Sequence, residues 1–394
     1  MITRLKLSLA LSTLALMAAS CAPAASGDSA VTSSTPNPDK TFVIEEMGTF
    51  EEPWAAAFAP GTGVIFVTEM GGTIKGREPN GRAIFVTGVP NVDYGGQGGL
   101  GDIAFLPSEA ADTLTARTIF LSWAEAGSGN TRGAVVGKGT LVCEEHQTCD
   151  IRGLTVIWRQ APKVTGRGHY SHRIAISPDE QHLFVSSGDR QKMQPAQDLG
   201  NNLGSIVRLT LDGQPAPGNP MGVGNEAVVN DPVTREIWSY GHRNVLGLAF
   251  DAQGRLWDLE HGPKGGDELN LVRAGANYGW PVVSDGVHYD GKAIPGHASR
   301  PDLAAPAIGW TPVIAPGNLM IYRGDMFAGW KGHALISGLK TEALIRVALD
   351  GETAREAARY PMGKRIRSVI EGPDGALWVL EDGENGRLLR LTPG

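Results

Sequence analysis

Five polar, glycine-rich loops hold the residues whose types and spacing suit chemistry: GGQGGLGD at 95–102, GHYSHR at 168–173, SSGDRQKMQPAQD at 186–198, YGHRN at 240–244 and EHGPKGGDE at 260–268. His169, between Gly168 and Tyr170, titrates in the range that a general base needs, although a lone loop histidine also serves as a plain hydrogen-bonding residue. Asp189, in the SSGD run twenty residues further on, suits either the orientation of such a histidine or the capping of a turn. Arg243 and Asn244 stand at a strand–turn junction, where they can bind an anion, polarise a carbonyl or hold a loop. The glycines of EHGPKGGDE permit irregular backbone that can present carbonyl oxygens to a hard cation such as Ca²⁺; its Asp267 and Glu268 equally suit a structural role. Lys340, Arg365 and Arg367 bring positive charge to strand ends late in the chain, suited to a polyanionic small ligand or to ordinary solvated surface. There is no G-x-S-x-G elbow, H-E-x-x-H, P-loop, or G-x-G-x-x-G set between a strand and a helix, which weakens hydrolase, zinc-protease and nicotinamide readings.

The elements that must position these loops read as hairpins. An apolar strand, a turn with Pro-Asp, Gln-Gly or Asp-Gly, and a second apolar strand recur from Trp54, Leu100, Arg173, Leu246, Asn318 and Ile366. Dispersed through 394 residues are 53 Gly and 25 Pro, as many short strands require and a helical bundle does not. We expect an all-β fold, a six-bladed β-propeller with four-stranded antiparallel blades, spanning residues 41–394 as a single domain. A pair of β-sandwiches or another blade count are the alternatives. The final LLRLTPG strand is expected to pair near Thr41-FVIEE and close the ring. Trp54, Trp257 and Trp378 recur at similar places and read as packing between blades, whereas Trp280 in NYGWP falls outside that place and suits a site loop. In a propeller, loops from one end of every blade converge on the axial mouth, where a composite site forms.

The composition is that of a globular protein, 41% hydrophobic and 20% charged, which excludes disorder and collagen-like repeats. The net charge of -7 argues against a nucleic-acid partner. Residues 1–20 read as an export signal: Arg4 and Lys6 precede an apolar run too short to span a bilayer. Cys21 stands where a bacterial lipoprotein carries its acyl group, with cleavage near Ala22-Pro23-Ala24 as the competing reading. Residues 21–40 suit a flexible tether, so the expected location is the periplasmic side of a bacterial membrane, with membrane contact only through a lipid on Cys21. In an exported protein Cys143 and Cys149 suit a disulfide across a hairpin, with two free thiols as the alternative.

Taken in order, GQGGLGD, GHYSHR, SGDRQ with QDL following, GSIVRLTLDG, EIWSYGHRN, EHGPKGGDELN, GANYGWP and RIRSVIEGPDGALWVL resemble the soluble pyrroloquinoline quinone (PQQ)-dependent sugar dehydrogenases, especially their bacterial aldose sugar dehydrogenase branch. The resemblance covers nearly all of residues 50–394 and implies a six-bladed propeller holding PQQ and Ca²⁺ at the channel mouth. It implies that His169 is the general base for the anomeric hydroxyl, Asp189 its orienting carboxylate and Arg243 the cation beside the reactive quinone carbonyl. Gln97 and Asn244 then hydrogen-bond the cofactor, the carbonyls of Gly262 and Pro263 ligate Ca²⁺, and Lys340, Arg365 and Arg367 face cofactor carboxylates. The implied reaction oxidises aldoses to lactones and passes electrons to an external acceptor. This chain departs from the family pattern at Gly168, at His172 (a Gly position), and at Val245-Leu246 (where Pro-Gln is usual). The changes at His172, Val245 and Leu246 motivate another reading, a noncatalytic sugar- or protein-binding propeller with a degenerate quinone site; a calcium-dependent propeller lactonase, which would use a different constellation, is the more remote alternative.

Overall fold

The computed structural model describes residues 41–144, 148–222 and 231–394; the export signal and tether expected at 1–20 and 21–40 lie outside the described residues. The described chain is almost entirely β. Its strands run β1 (Phe42–Phe50), β2 (Pro53–Phe58), β3 (Ile65–Glu69), β4 (Thr73–Arg77), β5 (Ala83–Thr87), β6 (Leu100–Phe105), β7 (Ala116–Ala126), β8 (Arg132–Glu144), β9 (Thr148–Arg159), β10 (Ser171–Ile176), β11 (His182–Ser187) and β12 (Ser205–Thr210). They continue through β13 (Ile237–Tyr240), β14 (Val245–Phe250), β15 (Leu256–Glu260), β16 (Asp267–Leu271), β17 (Ile308–Trp310), β18 (Pro316–Ile321), β19 (Ala334–Gly338), β20 (Ala343–Asp350), β21 (Thr353–Pro361), β22 (Ile366–Glu371), β23 (Leu377–Glu381) and β24 (Gly386–Pro393).

Strands β10–β13, β14–β17 and β18–β21 each form a four-stranded sheet in chain order, and a fourth sheet runs β1-β24-β23-β22. The last pairs the start of the described chain with its end, antiparallel from Phe42↔Pro393 to Phe50↔Gly386, as the terminal strand signals led us to expect. The remaining strands depart from the expectation of separate blades. β2–β5 and β6–β9 are two antiparallel meanders joined into one eight-stranded sheet by a parallel pairing of β5 with β9. Their geometry gives the reason: β8 and β9 are 13 and 12 residues long, and the start of β9, tied to the end of β8 by the Cys143–Cys149 disulfide, reaches the outer edge of β5 and covers it.

The turns follow the sequence signals. Asp251, for example, accepts hydrogen bonds from the backbone of Gln253 and Arg255 at 2.9 Å each and from Trp257 Nε1 at 3.0 Å, fixing the β14–β15 hairpin and burying the indole together. Between the sheets lie apolar cores. Phe120 and Trp158 pack with Val185 and Leu209, Phe184 with Val245, Trp257 with Ile336 and Ile345, Leu335 with Val369 and Leu389, Val67 with Leu380 and Leu388, and Phe66 with Ile103 and Leu121. The last meander thus packs back on the first. Trp257 is fully buried there, so truncation to Ala should cost about 3–5 kcal/mol.

One irregularity repeats. The first strand of each meander (β2, β6, β10, β14, β18, β22) opens with a β-bulge, at Pro53/Ala55, Leu100/Ile103, Ser171/Ile174, Val245/Gly247, Pro316/Asn318 and Ile366/Ser368. In four of them a hydroxyl from the neighbouring strand takes up the backbone N–H that the bulge frees: Thr68 to Ala55, Ser122 to Asp102, Ser186 to Arg173 and Ser337 to Asn318. Bulges re-aim side chains, and these six lie at the same end of their meanders.

Candidate functional site

That end encloses a cavity of about 370 Å³. Its wall is built from bulged strand starts (Trp54, His172, Leu246, Arg367) and from residues directly after second strands (Met70, His261, Leu339, Asp382), together with Gln97 and Asn244. Arg173 ties several meanders together behind it: its guanidinium binds Asp102 and the carbonyls of Leu246 and Gly317 and lies 3.8 Å over the Trp54 ring. Trp54 therefore does more than the packing role its repeat position suggested.

The GHYSHR and SSGDRQ loops meet beside this cavity. His169 Nδ1 lies 2.7 Å from Asp189 Oδ1, and the His169 backbone N–H donates to Gln97 Oε1 at 2.6 Å. Asp189 is fully buried and also accepts from Gln191 N, Met193 N and Trp280 Nε1, the last at 2.8 Å. Burial alone would raise its carboxyl pKa, but these bonds outweigh burial and hold it below the usual carboxylate range. An ionised Asp189 requires the proton on His169 Nδ1, which leaves Nε2 as an open acceptor with no partner among the described residues. Burial, followed by the Arg243 charge, pulls the His169 pKa below its ordinary value against the effect of Asp189, so the imidazole is neutral at pH 7.

The backbone here is under strain. His169, Ser171, His172, Arg190, Gln191 and Met193 all have φ between 48° and 61°, a region that non-glycine residues seldom occupy. Arg190, 1% exposed, rivets the two loops by donating to the carbonyls of Gly168, Arg132 and Gly166 while covering the Tyr170 ring.

Arg243 enters from the YGHRN loop. Its backbone N–H donates to Glu260, its Nη1 to the His261 carbonyl and its Nη2 to the Tyr289 hydroxyl at 3.4 Å; the guanidinium lies 5.1 Å from the Trp280 ring. Its buried Nε has no partner. Asn244 accepts from Ser171 Oγ, so the loop keeps both side chains beside His169 although Val245 and Leu246 follow. Gly262 donates its N–H to Asp267, whose other oxygen accepts from Ala315, giving Asp267 a structural role. A Cβ at Gly262 would run into the carbonyls of Gly265 and Gly266. The carbonyls of Gly262 and Pro263 accept no hydrogen bond among the described residues.

The basic cluster differs from the sequence expectation. Arg365 and Arg367 both bind Asp382, at 2.7 Å each, so they are partly neutralised rather than free. Burial would raise the Asp382 pKa, but the Arg367 and Arg365 charges hold it low. Lys340 is exposed and lies outside the cavity wall, where its neighbour Leu339 stands instead.

The donors and acceptors present fit the cofactors implied by the sequence. An orphaned guanidinium nitrogen, an open amide at Gln97 and two arginines suit a planar, oxygen-rich anion, and two carbonyls without partners suit a hard cation. Sequence reasoning missed Asp382, His261 and Arg190. Superposing the repeats would have found the first two, because Met70, His261, Leu339 and Asp382 occupy one place, the residue after the second strand.

Residues 50–390 match the family described as Glucose / Sorbosone dehydrogenase. The chain is 34% identical over 351 residues to the aldose sugar dehydrogenase YliI of Escherichia coli, covering 87% of this chain and 90% of that one. It is similar to the crystal structure of the soluble aldose sugar dehydrogenase from Escherichia coli in the apo-form (TM-score 0.82, 32% identity, 90% of this chain and 100% of that one). It is also similar to the PQQ-bound form of the aldose sugar dehydrogenase from Streptomyces coelicolor (TM-score 0.70, 26% identity, 90% and 99%). With a strained His–Asp pair, an arginine and a cavity lined by two further arginines on an all-β frame that matches theirs, the chain belongs to the glucose/sorbosone dehydrogenase family.

Proposed function

We propose that the protein is a six-bladed propeller that oxidises the anomeric carbon of aldose sugars to lactones, using PQQ and Ca²⁺ and an external electron acceptor. Six four-stranded meanders, each packed on the next and the last on the first, support the blade count. The observation that carries the chemistry is the His169–Asp189 pair, which leaves Nε2 as a neutral acceptor. His169 takes the proton of the anomeric hydroxyl at Nε2, and Asp189 keeps the ring oriented and stabilises the imidazolium that forms. When bound, the quinone would supply the two-electron sink, a hydride acceptor, that no side chain offers. Arg243 places fixed positive charge where negative charge develops, without reorganisation. Gln97, Asn244, Arg365 and Arg367 hold the cofactor, Lys340 adds long-range positive charge, and the Gly262 and Pro263 carbonyls hold Ca²⁺.

The same reading makes the protein an exported one, anchored through Cys21 or released after cleavage. The Cys143–Cys149 disulfide supports it, because such bonds persist in oxidising compartments. The test is reconstitution of the purified protein with PQQ and Ca²⁺, followed by aldose-dependent reduction of an artificial acceptor. Activity that requires both additions is expected; PQQ uptake without any aldose oxidation would overturn the substrate class.

A further inference from the structure

His172 lines the cavity three residues after His169, and its surroundings fix which of its nitrogens carries the proton. The ring is 1% exposed and stacks on Trp54, centroids 4.9 Å apart and planes 10° from parallel. Its Nδ1 edge faces Ser122 and Gly101, where a Cβ would overlap the imidazole. Ser122 Oγ accepts from the Asp102 N–H at the β6 bulge and lies 2.8 Å from His172 Nδ1. Among the described residues, His172 Nδ1 is the only hydrogen-bond acceptor within reach of the Ser122 hydroxyl proton. The hydroxyl therefore donates to Nδ1, and the imidazole proton sits on Nε2. That nitrogen has no protein partner, and the residue lines the cavity shared with Gln97, Asn244, Arg365 and Arg367. The buried imidazole stays neutral, with its pKa lowered to about 3 chiefly by burial.

We infer that His172 directs a fixed Nε2–H donor into the cavity and hydrogen-bonds an acceptor oxygen of the anionic cofactor, making it a cofactor-binding residue beyond those named above. The inference rests on the proposed function, which supplies the ligand. A donor whose partner ring faces are already packed loses little freedom on binding, and a hydrogen bond to a charged oxygen contributes more than one to a neutral group.

The experiment is equilibrium binding of PQQ to the Ca²⁺-supplemented protein, followed by absorbance without sugar or acceptor. His172→Phe keeps the stack on Trp54 and removes the donor; His172→Gln restores a donor. The expected result is an affinity loss of about tenfold or more for His172→Phe and of about threefold or less for His172→Gln. Should His172→Phe fail to fold, Ser122→Ala removes the hydroxyl that fixes the tautomer and should weaken PQQ by about threefold. Wild-type protein that does not take up PQQ would overturn the sugar-dehydrogenase reading. Wild-type uptake with unchanged affinity in the folded His172→Phe, or in Ser122→Ala if that is the variant available, would overturn this inference alone.

Discussion

His169 and His172 flank the entry to one strand, yet the two regions they belong to use imidazole in opposite ways. On the Asp189 side, a buried carboxylate with four donors accepts a hydrogen bond from Nδ1–H and leaves His169 Nε2 as an acceptor. On the Trp54 side, a serine hydroxyl donates a hydrogen bond to Nδ1 and leaves His172 Nε2 as a donor. Burial lowers both pKa values, so neither ring is charged at neutral pH. The same side chain becomes a base or a donor according to whether its second nitrogen meets an anion or a hydroxyl. Local strain makes this possible, because positive φ at 169, 171 and 172 turns both rings toward the site.

The largest effect comes from reversing the polarity on the Asp189 side. In Asp189→Asn the amide can present N–H to His169 Nδ1, which moves the imidazole proton to Nε2 and removes the acceptor. We expect kcat to fall about 10³–10⁴-fold with PQQ uptake retained, measured by steady-state kinetics alongside binding. The Trp54 side should show its character in acid. His172 titrates near pH 3 in the folded protein but near its ordinary value, about 6.5, when unfolded. Between those values the unfolded chain binds more protons, so stability falls as pH drops from about 6.5 toward 3, by up to about 1.4 kcal/mol per pH unit. His172→Phe should lose less stability than wild type between pH 7 and pH 4, read as the change in Tm.

Smaller effects should separate the two arginines. The Arg367 side chain is 14% exposed and that of Arg365 51%, and both share Asp382. Arg367→Ala should weaken PQQ by about tenfold, whereas Arg365→Ala should weaken it about two- to threefold, an effect that shrinks in high salt. Trp280→Phe removes one of the four donors to Asp189 and should lower kcat only a few-fold while raising the apparent pKa of the kinetic profile slightly.

The strands, the Cys143–Cys149 bond and the pairing of chain ends were legible because apolar alternation and turn residues are local signals. The motifs placed His169, Asp189, Arg243 and Asn244 near one another. The Asp382 clamp was not legible, since nothing local says that a carboxylate after β23 faces arginines before and within β22. Neither was the position of Lys340, where a one-residue difference decides that Leu339 lines the cavity instead. The β5–β9 pairing depended on how far two long strands project, which no short window contains. The bulges were hidden for the same reason, as each shows only as a shift in register between strands.

The central claim is that His169 is the base that serves a bound quinone. The most direct measurement mixes PQQ-loaded protein with an aldose anaerobically and follows the cofactor absorbance through a single turnover, for wild type and His169→Ala. The account predicts equal PQQ uptake in both and a cofactor reduction rate about 10²–10⁴-fold slower in the variant. Reduction of the cofactor at the wild-type rate in His169→Ala would contradict it.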